Sequence, residues 1–206
     1  MTARERILDS AAKVFGQHGY RLASMELVAQ ECGLTRQALY HHFPTKEALF
    51  RAVVEAVHES AFEAERAAGL RQERAGKGLD DILVGQLEAR FRFLFELIKG
   101  STQLEELLSE EQRQTRDLQQ SFVDRKLNLI AGAIERARVA GKVALRHGVT
   151  PVELARSVEL AAHGLDFRKG DKGALVDLDR SVRLMVAGAV VGAPEATTRR
   201  PARRQQ

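Results

Sequence analysis

One short segment of the chain carries side chains that could read the edges of DNA bases. Arg36 offers a planar fork of N–H donors, which matches the O6 and N7 acceptors of guanine in the major groove. Gln37 can pair with adenine in the same way, and the Ala38 methyl can touch that of thymine. No carboxylate occurs from Gly33 to Thr45, so this segment could lie against phosphates without repulsion. The chemistry indicated is direct recognition of a base sequence.

Neighbouring side chains are suited to phosphate, a contact that sets register without reading sequence. We expect such contacts from five polar or aromatic residues: Ser24, Tyr40, His41, His42 and Lys46. The adjacent histidines also suggest a metal site. Consecutive helical residues point ~100° apart, however, so the two rings cannot both chelate one ion. No other set of ligands has suitable spacing nearby, and the sequence therefore predicts no metal.

Two short helices joined by a tight turn are predicted to position these side chains. Ser24 and Thr35 are N-cap residues, because their hydroxyls can accept bonds from unpaired backbone N–H groups. Gly33 ends the first helix, since glycine readily adopts the left-handed conformation that turns the chain. Apolar residues at helical spacing form the inner faces: Leu27, Val28, Cys32, Leu39 and Phe43. Residues 24–43 thus predict a helix-turn-helix, whose second helix enters the major groove.

The residues around this motif carry a resemblance to a known family. With Gly19 and Tyr20 before it and the run from Phe43 to Leu49 after it, the region 2–62 resembles the DNA-binding domain of TetR/AcrR transcriptional regulators. The resemblance adds Thr35 to the residues expected to contact DNA. It implies an N-terminal three-helix DNA-binding domain and a C-terminal helical domain, at 78–192, for effector binding and dimerisation. Glu26 departs from the basic residue of some relatives, so no base contact is expected from the first motif helix.

Composition favours an all-α protein. The chain has 206 residues, 44% of them hydrophobic, and only four prolines, with many Ala, Leu, Glu and Arg. The formal charge of +4 lies mostly in 193–206, which we predict to be a basic flexible tail, so net charge says little about DNA binding. The longest apolar run, 184–193, is about half of the ~20 residues that a membrane span needs. We expect a cytoplasmic protein with no membrane contact.

Hydrophobic periodicity predicts the remaining helices and no strand. The first helix opens with a capping box of Thr2 and Glu5 and ends at Gly16 and Gly19. Charge and glycine at 68–78 indicate a domain boundary. The other helices are expected at 46–67, 79–99, 114–140, 151–167 and 175–192, and the polar stretch 101–113 is expected to be a short or an irregular helix.

Small residues on the apolar arcs of the last two helices allow close helix packing. Such a pair either completes an internal bundle or forms a symmetric interface with a second copy. The resemblance favours the interface, because family members dimerise through these helices. We therefore predict a homodimer on an inverted-repeat operator.

The second domain is expected to hold a small-molecule effector, although the same side chains could simply form core. The proposed lining residues are aromatic or apolar with one histidine: Phe91, Leu94, Phe95, Phe122, Ile130 and His163. This lining favours an apolar or amphipathic effector. Arg90 and Arg92 on the same helix suggest an anionic or amphipathic one. No cofactor is predicted.

Three function classes follow from these patterns. The sequence favours a sequence-specific transcriptional regulator, most often a repressor released by its effector. A ligand-independent DNA-binding protein, architectural or occluding, would have the same fold but no effector cavity. A helical enzyme or ligand carrier is less favoured, since the chain lacks a nucleophile elbow, a phosphate loop and paired catalytic carboxylates. We predict that the protein is not an enzyme.

Overall fold

The computed structural model describes residues 2–99, 103–164 and 170–191, and these are almost entirely helical, as predicted. Two two-residue strands pair antiparallel, β1 (Ala144–Leu145) with β2 (Val190–Val191). Within these three ranges no helix is long and apolar enough to cross a membrane. The helices are α1 (Ala3–Leu22), α2 (Met25–Cys32), α3 (Arg36–His42), α4 (Lys46–Arg74), α5 (Leu79–Ile98), α6 (Leu104–Gln114), α7 (Arg116–Val139), α8 (Pro151–His163) and α9 (Gly170–Ala189).

The N-terminal core unites α1, α2, α3 and the first half of α4. Its central side chains, Ile7, Leu39 and Leu49, are fully buried. The predicted capping box begins α1: the Glu5 N–H donates to Thr2 Oγ1 at 3.2 Å and the Thr2 N–H donates to Glu5 Oε2 at 2.8 Å. These contacts satisfy backbone donors that the first helical turn leaves unpaired.

A second core lies between α5, α7, α8 and α9. Its fully buried side chains include Leu83, Leu87, Ile130, Ile134 and Leu178. Helix α4 joins the two cores, because its first half packs in the N-terminal core and its second half packs along α5. The described helices thus form two hydrophobic clusters, which α4 connects.

Two glycines predicted to end the first helix have other roles. Gly16 is helical and buried, and a Cβ at this position would lie 3.0 Å from the Leu97 carbonyl oxygen. Glycine here permits close approach of α5. Gly19 has φ 73° and kinks the helix, which continues to Leu22. The left-handed φ favours glycine at this kink.

The prediction that the fourth helix ends at residue 67 is wrong. Helix α4 continues to Arg74, and Gly69 is buried within it. A Cβ on Gly69 would lie 2.5 Å from Gln86 Nε2, so glycine lets α4 and α5 pack closely. Gly69 and the charges up to Arg74 thus belong to the helix, and only residues 75–78 form the turn into α5.

The C-terminal region departs from prediction in its strands. Val190 and Val191 were assigned by periodicity to the last helix, but they are extended and pair with Leu145 and Ala144. Helix α9 also begins earlier than predicted, at Gly170 rather than at 175. A bridge of two residues per strand leaves no alternation in the sequence from which it could be recognised.

The start of α8 follows the prediction. The Thr150 N–H donates to Glu153 Oε2 at 2.8 Å and the Glu153 N–H donates to Thr150 Oγ1 at 3.2 Å, with Pro151 at the first helical position. The helix ends at His163. This end is earlier than the predicted one at 167, because Gly164 caps the helix. Residues 165–167 and the basic tail predicted at 193–206 lie outside the described residues.

Candidate nucleic-acid interface and effector cavity

Local hydrogen bonds fix the two motif helices, as the sequence predicts. Ser24 Oγ accepts from the Leu27 N–H at 3.2 Å, and Thr35 Oγ1 accepts from the Ala38 N–H at 3.1 Å. Gly33 has φ 67°, in the left-handed region, and turns the chain between α2 and α3. Helix-turn-helix geometry is therefore specified by three local residues.

The outer face of α3 is exposed and carries the predicted recognition residues. Arg36, Gln37, His41 and His42 are exposed, while Ala38 is half-buried. The Arg36 guanidinium carbon lies 5.5 Å from the centre of the Tyr40 ring, a cation–π contact on the same face. The inner residues Leu39 and Phe43 are buried and anchor the helix to the core: Leu39 is fully inaccessible.

The start of α4 is bound to the loop that precedes the motif, an arrangement that the sequence analysis missed. Lys46 Nζ donates to the Ala23 carbonyl at 2.8 Å and lies 4.4 Å from the centre of the Tyr20 ring. The Tyr20 hydroxyl donates to Glu47 Oε1 at 3.0 Å. A hydrogen bond from its own backbone N–H and the one from Tyr20 lower the pKa of Glu47. Lys46 thus has a structural role, and its phosphate contact stays a prediction.

Cys32, which the pattern predicts to be buried, is half-buried at the end of α2. The residue nevertheless packs against the N-terminal apolar cluster. Within the three described ranges, no group of three or more His, Cys, Asp or Glu residues could hold a metal ion.

A cavity of about 220 Å³ opens in the C-terminal body. Four helices, α4, α5, α7 and α8, supply most of its wall, and α6 adds one leucine. Its apolar lining consists of Ala61, Phe62, Phe91, Leu94, Leu108, Phe122 and Ala162, and its polar lining of His58, Glu65, Arg90, Arg125, Lys126, Glu159 and His163. The walls combine a mostly apolar surface with a small charged cluster, a combination typical of ligand sites.

Four of the six predicted lining residues border this cavity, namely Phe91, Leu94, Phe122 and His163. Ile130 is instead fully buried in the C-terminal core, and Phe95 packs against that core. Helix α4 also lines the cavity, a contribution that the sequence patterns did not predict. In a sequence, a carboxylate and a histidine that line a cavity cannot be distinguished from the same residues on the solvent-exposed face of a long helix.

Buried ion pairs hold the charged side of the cavity together. Arg90 Nη2 donates to Glu159 Oε2 at 2.9 Å, and Arg90 Nη1 lies 3.4 Å from Glu65 Oε2. Lys126 Nζ lies 3.4 Å from Glu159 Oε1. Glu65 Oε1 has no hydrogen-bond partner among the described residues. Because Arg90 is already paired, it gives no support to the anionic ligand suggested by the sequence.

Arg92 also gives that suggestion no support. Its side chain is exposed and pairs with Glu88 at 3.2 Å, one turn back on the same helix. It is absent from the lining of the cavity. The two arginines of α5 therefore have different roles that sequence spacing did not distinguish.

Glu65 has an unusual titration because of its surroundings. Burial raises the pKa of this carboxyl to about 7, although Arg90 favours the ionised form and Glu159 opposes it. An unfolded glutamate has a pKa of ~4.3. The folded protein therefore binds this proton more tightly, and stability falls as pH rises from ~4.3 towards 7.

Glu65→Gln should remove this pH dependence. The variant lacks the titrating group, so its stability relative to wild type should rise by ~2–3 kcal/mol between pH ~5 and ~8. Urea unfolding at the two pH values measures the difference. Glu63→Gln is the control, because this exposed carboxyl on the same helix has its pKa lowered by a hydrogen bond from Arg66. Its effect should be small and opposite in sign; parallel pH curves for Glu65→Gln and wild type would contradict the assignment.

A second cavity of about 170 Å³ lies between the N-terminal core and α4, α5 and α6. His58, Leu94 and Leu108 border both cavities. His58 stacks on Phe122 with ring centres 3.9 Å apart, and its Nε2 lies 2.8 Å from Glu111 Oε1 on α6. This wall connects the larger cavity to α6.

Helix α6 in turn contacts the N-terminal domain. Glu106 Oε1 accepts a hydrogen bond from the Arg21 backbone N–H at 2.7 Å, at the end of α1. Helix α6 therefore lies between the His58 wall of the cavity and the end of α1.

Comparison with known proteins adds a family to these observations. A family model described as bacterial regulatory proteins of the tetR family matches residues 7–53. UidR of Escherichia coli K12, an HTH-type transcriptional regulator, is 41% identical over 51 residues, which cover 25% of this chain and 26% of UidR. The transcriptional repressor AcnR of Corynebacterium glutamicum is 32% identical over 91 residues, 44% of each chain. The matches thus span about a quarter to less than half of these relatives.

Solved structures extend the likeness to both domains. SmeT, the repressor of the Stenotrophomonas maltophilia multidrug efflux pump SmeDEF, is 26% identical to this chain. The superposition covers 91% of this chain and 90% of SmeT, with a TM-score of 0.61. The C-terminal body therefore shares its helical arrangement with a repressor structure, beyond the reach of the sequence matches.

Proposed function

We propose that this chain, which belongs to the TetR family of bacterial regulatory proteins, is a sequence-specific DNA-binding transcriptional regulator of the repressor type. The observation that carries the proposal is the outer face of α3. This face is exposed, has no carboxylate from Gly33 to Thr45, and is held in a helix-turn-helix by two caps and a glycine turn. A DNA partner also argues for a cytoplasmic location.

The residues of this face divide by the chemistry of their contacts. Arg36, Gln37 and Ala38 would meet base edges near the start of α3. Tyr40, His41, His42 and Lys46 would meet phosphates. Ser24 and Thr35 use their oxygens as cap acceptors. Because a hydroxyl can accept and donate at once, each remains able to donate to a phosphate.

Arg36→Ala should weaken binding to the preferred operator by ~1–3 kcal/mol and relax the choice of one base pair. The loss follows from removing a bidentate donor from a base edge. Fluorescence anisotropy with cognate and scrambled duplexes measures it. Arg74→Ala is the charge-matched control, since this exposed arginine ends α4, far along the chain from the motif. Equal losses on cognate and scrambled DNA would rule out base reading by Arg36.

A homodimer through α8 and α9 would present two recognition helices. These helices expose large apolar side chains on the protomer: Leu160 is 73% exposed, Leu184 67% and Val176 59%. Gly188 lies on the same exposed side of α9 as Leu184, and a Cβ built there would meet nothing within 4 Å beyond its chain neighbours and the local helix backbone. An exposed apolar face with small residues suits a symmetric contact, and two-fold symmetry requires an inverted-repeat operator.

The larger cavity supports effector control over a ligand-independent role. An effector can release DNA only if its affinity differs between the DNA-binding and non-binding states. The contacts from His58 to α6, and from α6 to the end of α1, offer a physical basis for such a difference. The ligand-independent alternative has no use for the cavity, and an enzyme would show substrate turnover.

A further inference from the structure

We propose that the 220 Å³ cavity selects an uncharged, mostly apolar molecule that carries one hydroxyl group, and that this hydroxyl binds Glu65 Oε1. This inference rests on the proposed function, because it treats the cavity as the effector site. It goes further in naming the chemistry that the site requires.

Glu65 has an unsatisfied hydrogen-bond acceptor at the cavity wall. The Glu65 side chain is 0% exposed, lines the cavity, and has one oxygen near Arg90 and the other without a described partner. A buried polar atom without a partner destabilises the empty site, and a ligand that supplies the bond gains affinity and selectivity. The missing partner of a carboxylate is a donor. Burial raises the pKa of Glu65 to about 7, and a hydroxyl suits both protonation states because it can donate or accept.

The charged groups that line the cavity favour an uncharged ligand. Every cation that lines the cavity already has a carboxylate: Arg90 has Glu159, Lys126 has Glu159, and Arg125 has Glu59 at 2.8 Å. An anionic ligand would have to compete with these pairs. A cationic ligand would meet three lining cations against two lining carboxylates, with His58 and His163 adding positive charge when protonated. An uncharged ligand avoids both penalties.

The size and the aromatic lining of the cavity favour a small, flat, apolar ligand. Aromatic rings from Phe62, Phe91 and Phe122, with Leu94 and Leu108, form the apolar side of the cavity. Its volume of about 220 Å³ lies below the ~300–1,000 Å³ of pockets for drug-sized ligands. A molecule of roughly two fused rings, planar enough to pack between aromatic side chains, fits this description.

Naphthol and three relatives with the same rings form a matched set of probes. Calorimetric titration of the full-length protein at pH ~8 would compare naphthol, its methyl ether, naphthylmethylammonium and naphthoate. At that pH the Glu65 carboxylate predominates, so only a donor can satisfy it. We expect naphthol to bind at least ~10-fold more tightly than its methyl ether and than either charged probe.

Glu65→Gln tests whether this residue makes the distinction. The glutamine oxygen would face Arg90, which leaves the amide N–H₂ as a donor toward the ligand. The preference for naphthol over its ether should then narrow to less than ~3-fold. Glu63→Gln, on the exposed side of the same helix, should keep the wild-type preference. The wild-type comparison alone remains decisive if Glu65→Gln does not fold.

Four results would overturn the inference: equal binding of naphthol and its ether, tighter binding of a charged probe, no binding of any probe, or an unchanged preference in folded Glu65→Gln. Operator binding without probes, measured in parallel, separates this failure from failure of the proposed function. A protein that binds an operator but does not discriminate between the probes would keep its regulatory role and lose the ligand class assigned to it.

Discussion

Gly188→Arg is expected to convert the protein to a monomer and to reduce operator affinity by about 10³-fold or more, towards the non-specific level. Within one protomer the substitution has room, since Gly188 is exposed and its added Cβ would meet nothing within 4 Å beyond its chain neighbours and the local helix backbone. In a dimer packed through α9, the same position would bury an unpaired guanidinium, which costs several kcal/mol. The helix-turn-helix itself is unchanged.

Sedimentation velocity and operator anisotropy on the same sample measure both effects. Val139→Arg is the matched control, because Val139 is also an exposed residue but lies at the end of α7, outside the two final helices. The control should remain dimeric and bind the operator normally. A Gly188→Arg protein that stayed dimeric and bound DNA like wild type would place the interface elsewhere.

Arg90→Met should destabilise the C-terminal body by ~3–5 kcal/mol, the typical effect of removing one partner of a buried ion pair. Methionine fills similar space but leaves Glu159 with Lys126 as its remaining close cation and deprives Glu65 of its guanidinium contact. Some of the loss should be recovered at low pH, because Glu65 can then take up a proton. The central role of Arg90 follows from its contacts with α4 and α8.

Urea unfolding followed by circular dichroism measures this loss at neutral pH. Arg92→Met is the control on the same helix: its side chain is 60% exposed and pairs only with Glu88 among the contacts described for it, so a change of ~0–1 kcal/mol is expected. Similar effects of the two substitutions would show that the buried network contributes no more than a surface pair.

The helix-turn-helix could be predicted from sequence because its determinants are local. Ser24 and Thr35 each cap the next helix by a hydrogen bond to the backbone N–H three residues later, and Gly33 turns the chain between α2 and α3. The buried network could not be predicted in this way. Arg90 meets Glu65 across 25 residues and Glu159 across 69, and helical periodicity carries no information about such pairs.

The missed extension of α4 has a related cause. Gly69 and the charges around it resemble a linker when only local propensity is considered. Packing against Gln86 of α5 decides the outcome, and it continues the helix through that stretch. The sequence likewise does not predict that α4 supplies Glu65 to the cavity, because local propensity does not indicate which helices pack together.

The proposal that this protein is a dimeric, sequence-specific DNA-binding regulator can be tested by selecting binding sites from random DNA. Footprinting and determination of the stoichiometry would follow. We expect enrichment of one inverted repeat, with half-sites about one helical turn or a multiple apart, protected by two protomers related by a two-fold axis. No enriched sequence, or a single asymmetric half-site bound by one protomer, would contradict it.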